Sequence, residues 1–132
     1  MAATAQEADQ ITAAVDLYVQ GVGEGDADKL RQAFHPDSRM WGSLAGQRFD
    51  VPIAEMIAMF DGKPCDVDGS YVATITTVEQ TDDTAHVVLA EEGFWGTVSF
   101  VDFFSLARID GDWKIVNKTF VHTGGEPPAA DA

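Results

Sequence analysis

The sequence predicts an α+β domain, with N-terminal helices packed on one face of a curved, mostly antiparallel sheet around an apolar cavity. Three observations predict it. Residues 11–22 carry an apolar stripe at helical spacing. From Ser70 onward the apolar residues switch towards a period of two. Asp110-Gly111 marks a tight hairpin between two long strand-like runs. Helices gathered ahead of a run of strands form the pattern of an α+β domain.

Each element follows in order. Ile11, Ala14, Val15, Tyr18, Val19 and Val22 lie on one face of a first helix, which Gly21, Gly23 and Gly25 end. Asp26 is placed as N-cap of a short second helix with Ala27, Leu30, Ala33 and Phe34 on its apolar side; Pro36 stops it. Ser38 to Leu44 and Arg48-Phe49 form a short hairpin around Ala45-Gly46-Gln47. Pro52 opens a third helix with Ile53, Met56, Ile57 and Phe60 on its buried stripe, and Gly62 supplies its left-handed end. Lys63 to Gly69 is a loop. Four strands follow, over Tyr71–Glu79, Thr84–Glu91, Thr97–Ile109 and Trp113–His122. Residues 1–7 are expected as a flexible N-terminus, 8–122 as a single domain and 123–132 as a disordered tail.

Composition narrows the function classes. The chain has 132 residues, one domain's worth. Its formal net charge of −14, with no basic stripe, argues against nucleic acid and anionic membrane surfaces. No apolar run approaches the ~20 residues of a membrane span. Met1 to Gln10 shows neither the basic nor the apolar part of a signal peptide, so the cytoplasm is the expected compartment. Cys65 is the only cysteine and lies beside Asp66 and Asp68, which disfavour a thiolate. His35, His86 and His122 fall on scattered elements without metal spacing, and no phosphate loop or nucleophile elbow is present, so neither metal nor cofactor is expected.

The final hairpin gives a register. With Asp110-Gly111 as the loop, Leu106 faces Ile115, Phe104 faces Asn117, Asp102 faces Thr119 and Phe100 faces Val121. Trp113, Leu106, Ile115, Phe104, Asn117, Asp102 and Thr119 then share the inner face; Lys118, Phe103, Phe120 and His122 face out. A bulge would exchange one strand's faces. Asp102 interrupts an apolar stretch on the inner face, and a buried carboxylate must be paired, hydrogen-bonded or protonated. It is the candidate general acid or base; the alternative is a structural aspartate satisfied by Thr119, Asn117 or Tyr18. His35, at the end of the second helix, is either a proton shuttle at the cavity mouth or a cap on the helix dipole. Tyr18, Met56 and Phe60 on helices, Arg39, Met40 and Trp41 on the early hairpin, Trp95 on a glycine-flanked connection, and Phe104 and Asn117 on the last strands are the candidate ligand contacts.

Ala33-Phe34-His35-Pro36-Asp37 and the run from Asp102 to Lys118, with its Asp110-Gly111-Asp112-Trp113-Lys114-Ile115 hairpin, resemble recurring elements of nuclear transport factor 2-like (SnoaL-like) proteins, most closely the bacterial branch labelled "putative lumazine-binding". The resemblance covers about residues 8–122. It implies a cone-shaped, cystatin-like fold and a homodimer joined through the outer sheet face. The superfamily includes ketosteroid isomerase, scytalone dehydratase, polyketide cyclases and limonene epoxide hydrolase, whose catalytic groups are not shared. Three functions follow as expectations. The first is binding of a small apolar or aromatic molecule in the cone. The second is cofactor-free isomerase, cyclase or dehydratase chemistry using Asp102, with Asn117 or Tyr18 positioning the substrate. The third is a dimerisation module with a filled cavity.

Overall fold

The structure, a computed structural model, describes residues 5–128. Three helices, α1 (Ala5–Glu24), α2 (Ala27–Ala33) and α3 (Ile53–Phe60), pack on a sheet of six strands: β1 (Phe34–Leu44), β2 (Gln47–Pro52), β3 (Val72–Thr81), β4 (Thr84–Phe94), β5 (Val98–Ile109) and β6 (Asp112–Gly124). The spatial order is β2-β1-β6-β5-β4-β3. Every neighbouring pair is antiparallel except β1 with β6.

The helices form where the periodicity requires. Ile11, Ala14, Val15, Tyr18 and Val22 of α1 are buried against the sheet. The helix does not end at Gly21 or Gly23; it continues to Glu24, and Gly25 takes the left-handed turn at φ 72°. Gly21 serves packing instead: a Cβ there would lie 2.6 Å from the Leu30 side chain, so its absence lets α2 approach. Asp26 caps α2 by accepting a 3.1 Å bond from the Lys29 amide. Pro36 falls inside β1, because α2 already ends at Ala33. Pro52 sits at the N-cap of α3, whose Ile53, Met56, Ile57 and Phe60 are buried.

The early hairpin is longer than its sequence suggests. It lies beside β6, so the last strand runs between two partners. Asp110 and Gly111 both have positive φ, as a tight two-residue hairpin loop demands. The register follows the expected count from Ile109–Asp112 to Leu106–Ile115, then shifts. Val116 is an extra residue, and Ser105 pairs with Asn117, Phe104 with Lys118, Asp102 with Phe120 and Phe100 with His122. Burial changes parity at that point: Trp113 and Ile115 are buried, then Lys118 and Phe120. Asn117 and Thr119 therefore leave the inner face, and Lys118, Phe120 and His122 enter it. Further register shifts occur in β3–β4 and β4–β5, and extra strand residues of this kind bend a strand locally.

At the ends, residues 5–7 belong to the first turn of α1, and Thr123 and Gly124 to β6. The remaining parts of the expected flexible N-terminus and tail, residues 1–4 and 129–132, lie outside the described residues. Among the described residues no helix is long and apolar enough to cross a membrane.

Candidate functional site

A charged cluster lies inside the cone. Along β4 the inward positions are Ala85, Val87, Leu89 and Glu91; along β5 they are Val98, Phe100, Asp102, Phe104 and Leu106. Leu89 pairs with Asp102 and Glu91 with Phe100, so the two carboxyls are diagonal neighbours on one face. Lys118 stands diagonally from Asp102 on the other side, on β6. Glu91, Asp102 and Lys118 are all buried, at 1%, 0% and 5% exposure.

Two tyrosines hold the cluster. The Tyr71 hydroxyl donates to Glu91 Oε2 at 2.6 Å. The Tyr18 hydroxyl points at both Glu91 oxygens from 3.3 and 3.4 Å, a looser arrangement. Tyr18 is fixed in turn by edge contacts with Phe104 and Phe34. Burial, aided by the neighbouring acids, pushes both tyrosine hydroxyls up, so they remain donors. Asp102 has no hydrogen-bond donor on either oxygen. Two ionised carboxylates offer each other none, but one proton between them supplies the bond. Burial first, and then the charge of Asp102, raise the Glu91 carboxyl well above its ordinary value, against the smaller opposing pull of Lys118 and Tyr71. The raised carboxyl favours a proton shared between Glu91 and Asp102, and the pair stands across from Lys118.

The cluster meets a cleft through Lys118. Met40, Phe60, Trp95, Phe100 and Phe120 are among its walls, and Lys118 is the one charged residue lining it. The depression encloses about 380 Å³ up to its mouth, but side chains leave only about 30 Å³ for solvent, room for roughly two waters. Trp95 stacks on Phe60 at 14° between planes and meets Phe94 and Phe100 edge-on. Its backbone is left-handed (φ 54°), between Gly93 and Gly96 of the same sign, and its amide donates to the Cys65 carbonyl at 2.8 Å. Cys65 lies buried below, where burial and the Glu91 charge keep its thiol protonated.

The structure disperses the sequence-derived candidates. Met40, Phe60 and Trp95 line the cleft. Asp102 and Tyr18 belong to the cluster behind it, and Met56 and Phe104 are core. Asn117 is not an inner residue: after the bulge it faces outward and donates to Thr119 Oγ1 at 3.0 Å. Arg39 pairs with Asp50 at 2.8 Å rather than with Asp102, and Trp41 is 41% exposed on the outer face. His35 Nδ1 accepts a 3.1 Å bond from the Asp37 amide, a local turn contact away from the cluster. His122 is moved inward by the bulge; its ring meets Phe100 and Nδ1 accepts from the Ala45 amide. His86 lies on the outer face against Phe103. Glu91, Lys118 and Tyr71 were missed by sequence reasoning. For Glu91 a signal existed, because the alternation Ala85-Val87-Leu89 places it inward.

Comparisons with known proteins agree with this architecture. Residues 6–121 match the protein family described as "putative lumazine-binding". Aldolase FrzH from Cladobotryum sp is 28% identical over 118 residues, covering 89% of this chain and 92% of that protein. A nuclear transport factor 2-like protein of unknown function from Methylobacillus flagellatus KT superposes with a TM-score of 0.83 at 24% identity, covering 92% of this chain and 96% of that one. A ketosteroid isomerase-like protein from Erwinia carotovora atroseptica gives 0.70 at 17% identity, covering 92% and 99%. These two likenesses concern the fold. The chain therefore belongs to the putative lumazine-binding family, and its fold is that of nuclear transport factor 2-like proteins.

Proposed function

We propose that this protein binds a small, largely apolar carbonyl compound in its cone and moves a proton on it, with Asp102 and Glu91 as a shared acid–base pair. The observation that carries the reading is the fully buried carboxyl pair. Neither Asp102 oxygen has a donor from elsewhere, and burial beside Asp102 raises the Glu91 carboxyl, which favours a proton shared between the two. A passive apolar binder has no use for such a cluster. A merely structural core is generally no less stable with apolar residues in place of buried ions. One carboxylate can take a proton from carbon next to a carbonyl while its protonated neighbour supplies one to oxygen. The likeness to an aldolase supports the same chemistry, since carbon–carbon bond formation beside a carbonyl begins with that proton. The aromatic walls fit an apolar body; Trp95 and Phe60 must part to admit it. No cofactor is needed for the step.

Deuterium uptake by cyclohexanone in D2O, followed by proton NMR, tests this. The wild-type chain is expected to exchange the α-protons above the buffer rate, and Asp102→Asn to lose about a hundredfold. Wild-type exchange at the buffer rate, or an undiminished Asp102→Asn, overturns the reading.

The partner we propose is a second copy of the chain. Trp41, Phe103 and Val121 are 41%, 49% and 51% exposed on adjacent strands β1, β5 and β6. The pairings Trp41–Thr119–Phe103 and Ser43–Val121–Val101 put them on one outward face. Such a contiguous apolar patch favours burial against its own image.

A further inference from the structure

We infer that Lys118 is a nucleophilic amine that forms an iminium with an aldehyde or ketone admitted to the cleft. This rests on the carbonyl-substrate reading above and adds a covalent step to it.

The surroundings of Lys118 are unusual for a lysine with a purely structural task. Lys29 bonds Glu24 and Gln20 oxygens at 2.9 Å, and Lys114 bonds the Gln32 carbonyl at 2.8 Å. Among the described residues Lys118 Nζ has no oxygen within hydrogen-bond distance. It lies 3.8 Å from Met40 Sδ, 4.8 Å from the centre of the Tyr18 ring and 5.2 Å from that of Phe120. A soft sulfur and two ring faces hold the amine in place without occupying a lone pair. Lys118 also touches the cleft, so its nitrogen can meet a carbonyl carbon there. Across from it stand Asp102 and Glu91, whose oxygens can take a proton.

Those groups complete a balanced step. The ammonium first gives one proton to the carboxyl pair, leaving a neutral amine. The nitrogen lone pair forms the C–N bond while the C=O π pair moves to oxygen, which receives a second proton from nitrogen. The pair returns the first proton to that hydroxyl. The C–O bond breaks, water leaves, and the nitrogen lone pair makes C=N⁺. Ammonium and carbonyl thus become iminium and water, with no oxidant or external acid. The carboxylate then removes the α-proton, with the positively charged nitrogen as electron sink, to give an enamine.

The test treats the full-length chain with cyclohexanone and sodium cyanoborohydride at neutral pH, followed by peptide mass spectrometry. Reduction converts an iminium into a stable secondary amine on the lysine that formed it. The chain's other lysines, Lys29, Lys63 and Lys114, serve as internal controls. Lys118 is expected to be alkylated at least about tenfold faster than these three, because its amine stands at the cleft, where the ketone binds, with no oxygen partner to displace. Labelling of Lys118 no faster than the others overturns the inference. Lys118→Arg keeps the cation but cannot form the iminium. It is expected to lose α-proton exchange about a hundredfold while its circular dichroism is retained. If Lys118→Arg exchanges as fast as wild type, Lys118 is only a counter-ion; the covalent step fails and the acid–base reading stands. If wild-type Lys118 is labelled selectively but Asp102→Asn exchanges undiminished, the covalent step stands and the role of the pair fails.

Discussion

Glu91 reaches the pair from β4, where three apolar residues precede it at alternate positions and bring it to the same depth. Its proton is held more tightly in the folded chain than in the unfolded one, where the carboxyl ionises near 4.5. Between that value and its raised folded value, the native state binds the extra proton. The corresponding stability is fully present below 4.5 and falls as pH rises, by up to about 1.4 kcal/mol per pH unit, until the folded carboxyl ionises. Glu91→Gln keeps the shape, can still accept from Tyr71, and removes this dependence. In urea unfolding between about pH 5 and pH 8, the wild-type midpoint is expected to fall relative to that of the variant. Parallel midpoints would show that Glu91 ionises normally. Sequence reasoning reached Asp102 because it breaks an apolar run. It did not pair Asp102 with Glu91, because their partnership depends on the β4–β5 register, which no tight-turn signal fixes: the connection bulges between Glu91 and Phe94.

At the scale of elements, the last hairpin shows how far local chemistry extends. Its turn fixed the pairing as far as Leu106 and Ile115, close to Asp110-Gly111. Beyond that, Val116 adds a residue that leaves no mark in composition, since valine suits either face of a strand. The cost was the exchange of Asn117 for Lys118 at the cone's inner wall. The β4–β5 connection is the other determinant of the site, because it seats Trp95. Gly93 there has φ 68°, and a Cβ would fall 2.1 Å from the Ser70 carbonyl oxygen. Neither the backbone nor the neighbour can yield cheaply. Gly93→Ala is expected to destabilise the chain by about 2–4 kcal/mol in thermal or urea unfolding. A loss under about 0.5 kcal/mol would mean that the strand near Ser70 moves freely, and that the seat of Trp95 is softer than its geometry implies.

For the whole molecule, the fold class was legible because it rests on periodicities that need no long-range information. The order of the sheet was not, because nothing in Ser38–Leu44 announces a parallel partner nearly eighty residues later. The proposed dimer also belongs to this scale, where apolar attraction opposes a net charge of −14 on each copy. Screening weakens that repulsion within a Debye length of ~8 Å at physiological ionic strength. Added salt is therefore expected to tighten the dimer in sedimentation velocity, and Phe103→Glu to yield a monomer at micromolar concentration. A wild-type monomer under both conditions would remove the dimer.

The single parallel pair also governs how the chain can be made. Phe34 of β1 must await Ile115 of β6 before it has a neighbour on that side. During synthesis β1 emerges about eighty residues before its partner, so the sheet cannot close until β6 has left the ribosome. Closing a loop of about eighty residues costs about 4 kcal/mol from its length alone, and none of that is recovered until β6 docks between β1 and β5. Folding should thus be set by a late, long-range closure. The same closing strand carries Lys118, so the cluster is assembled in the last act of folding.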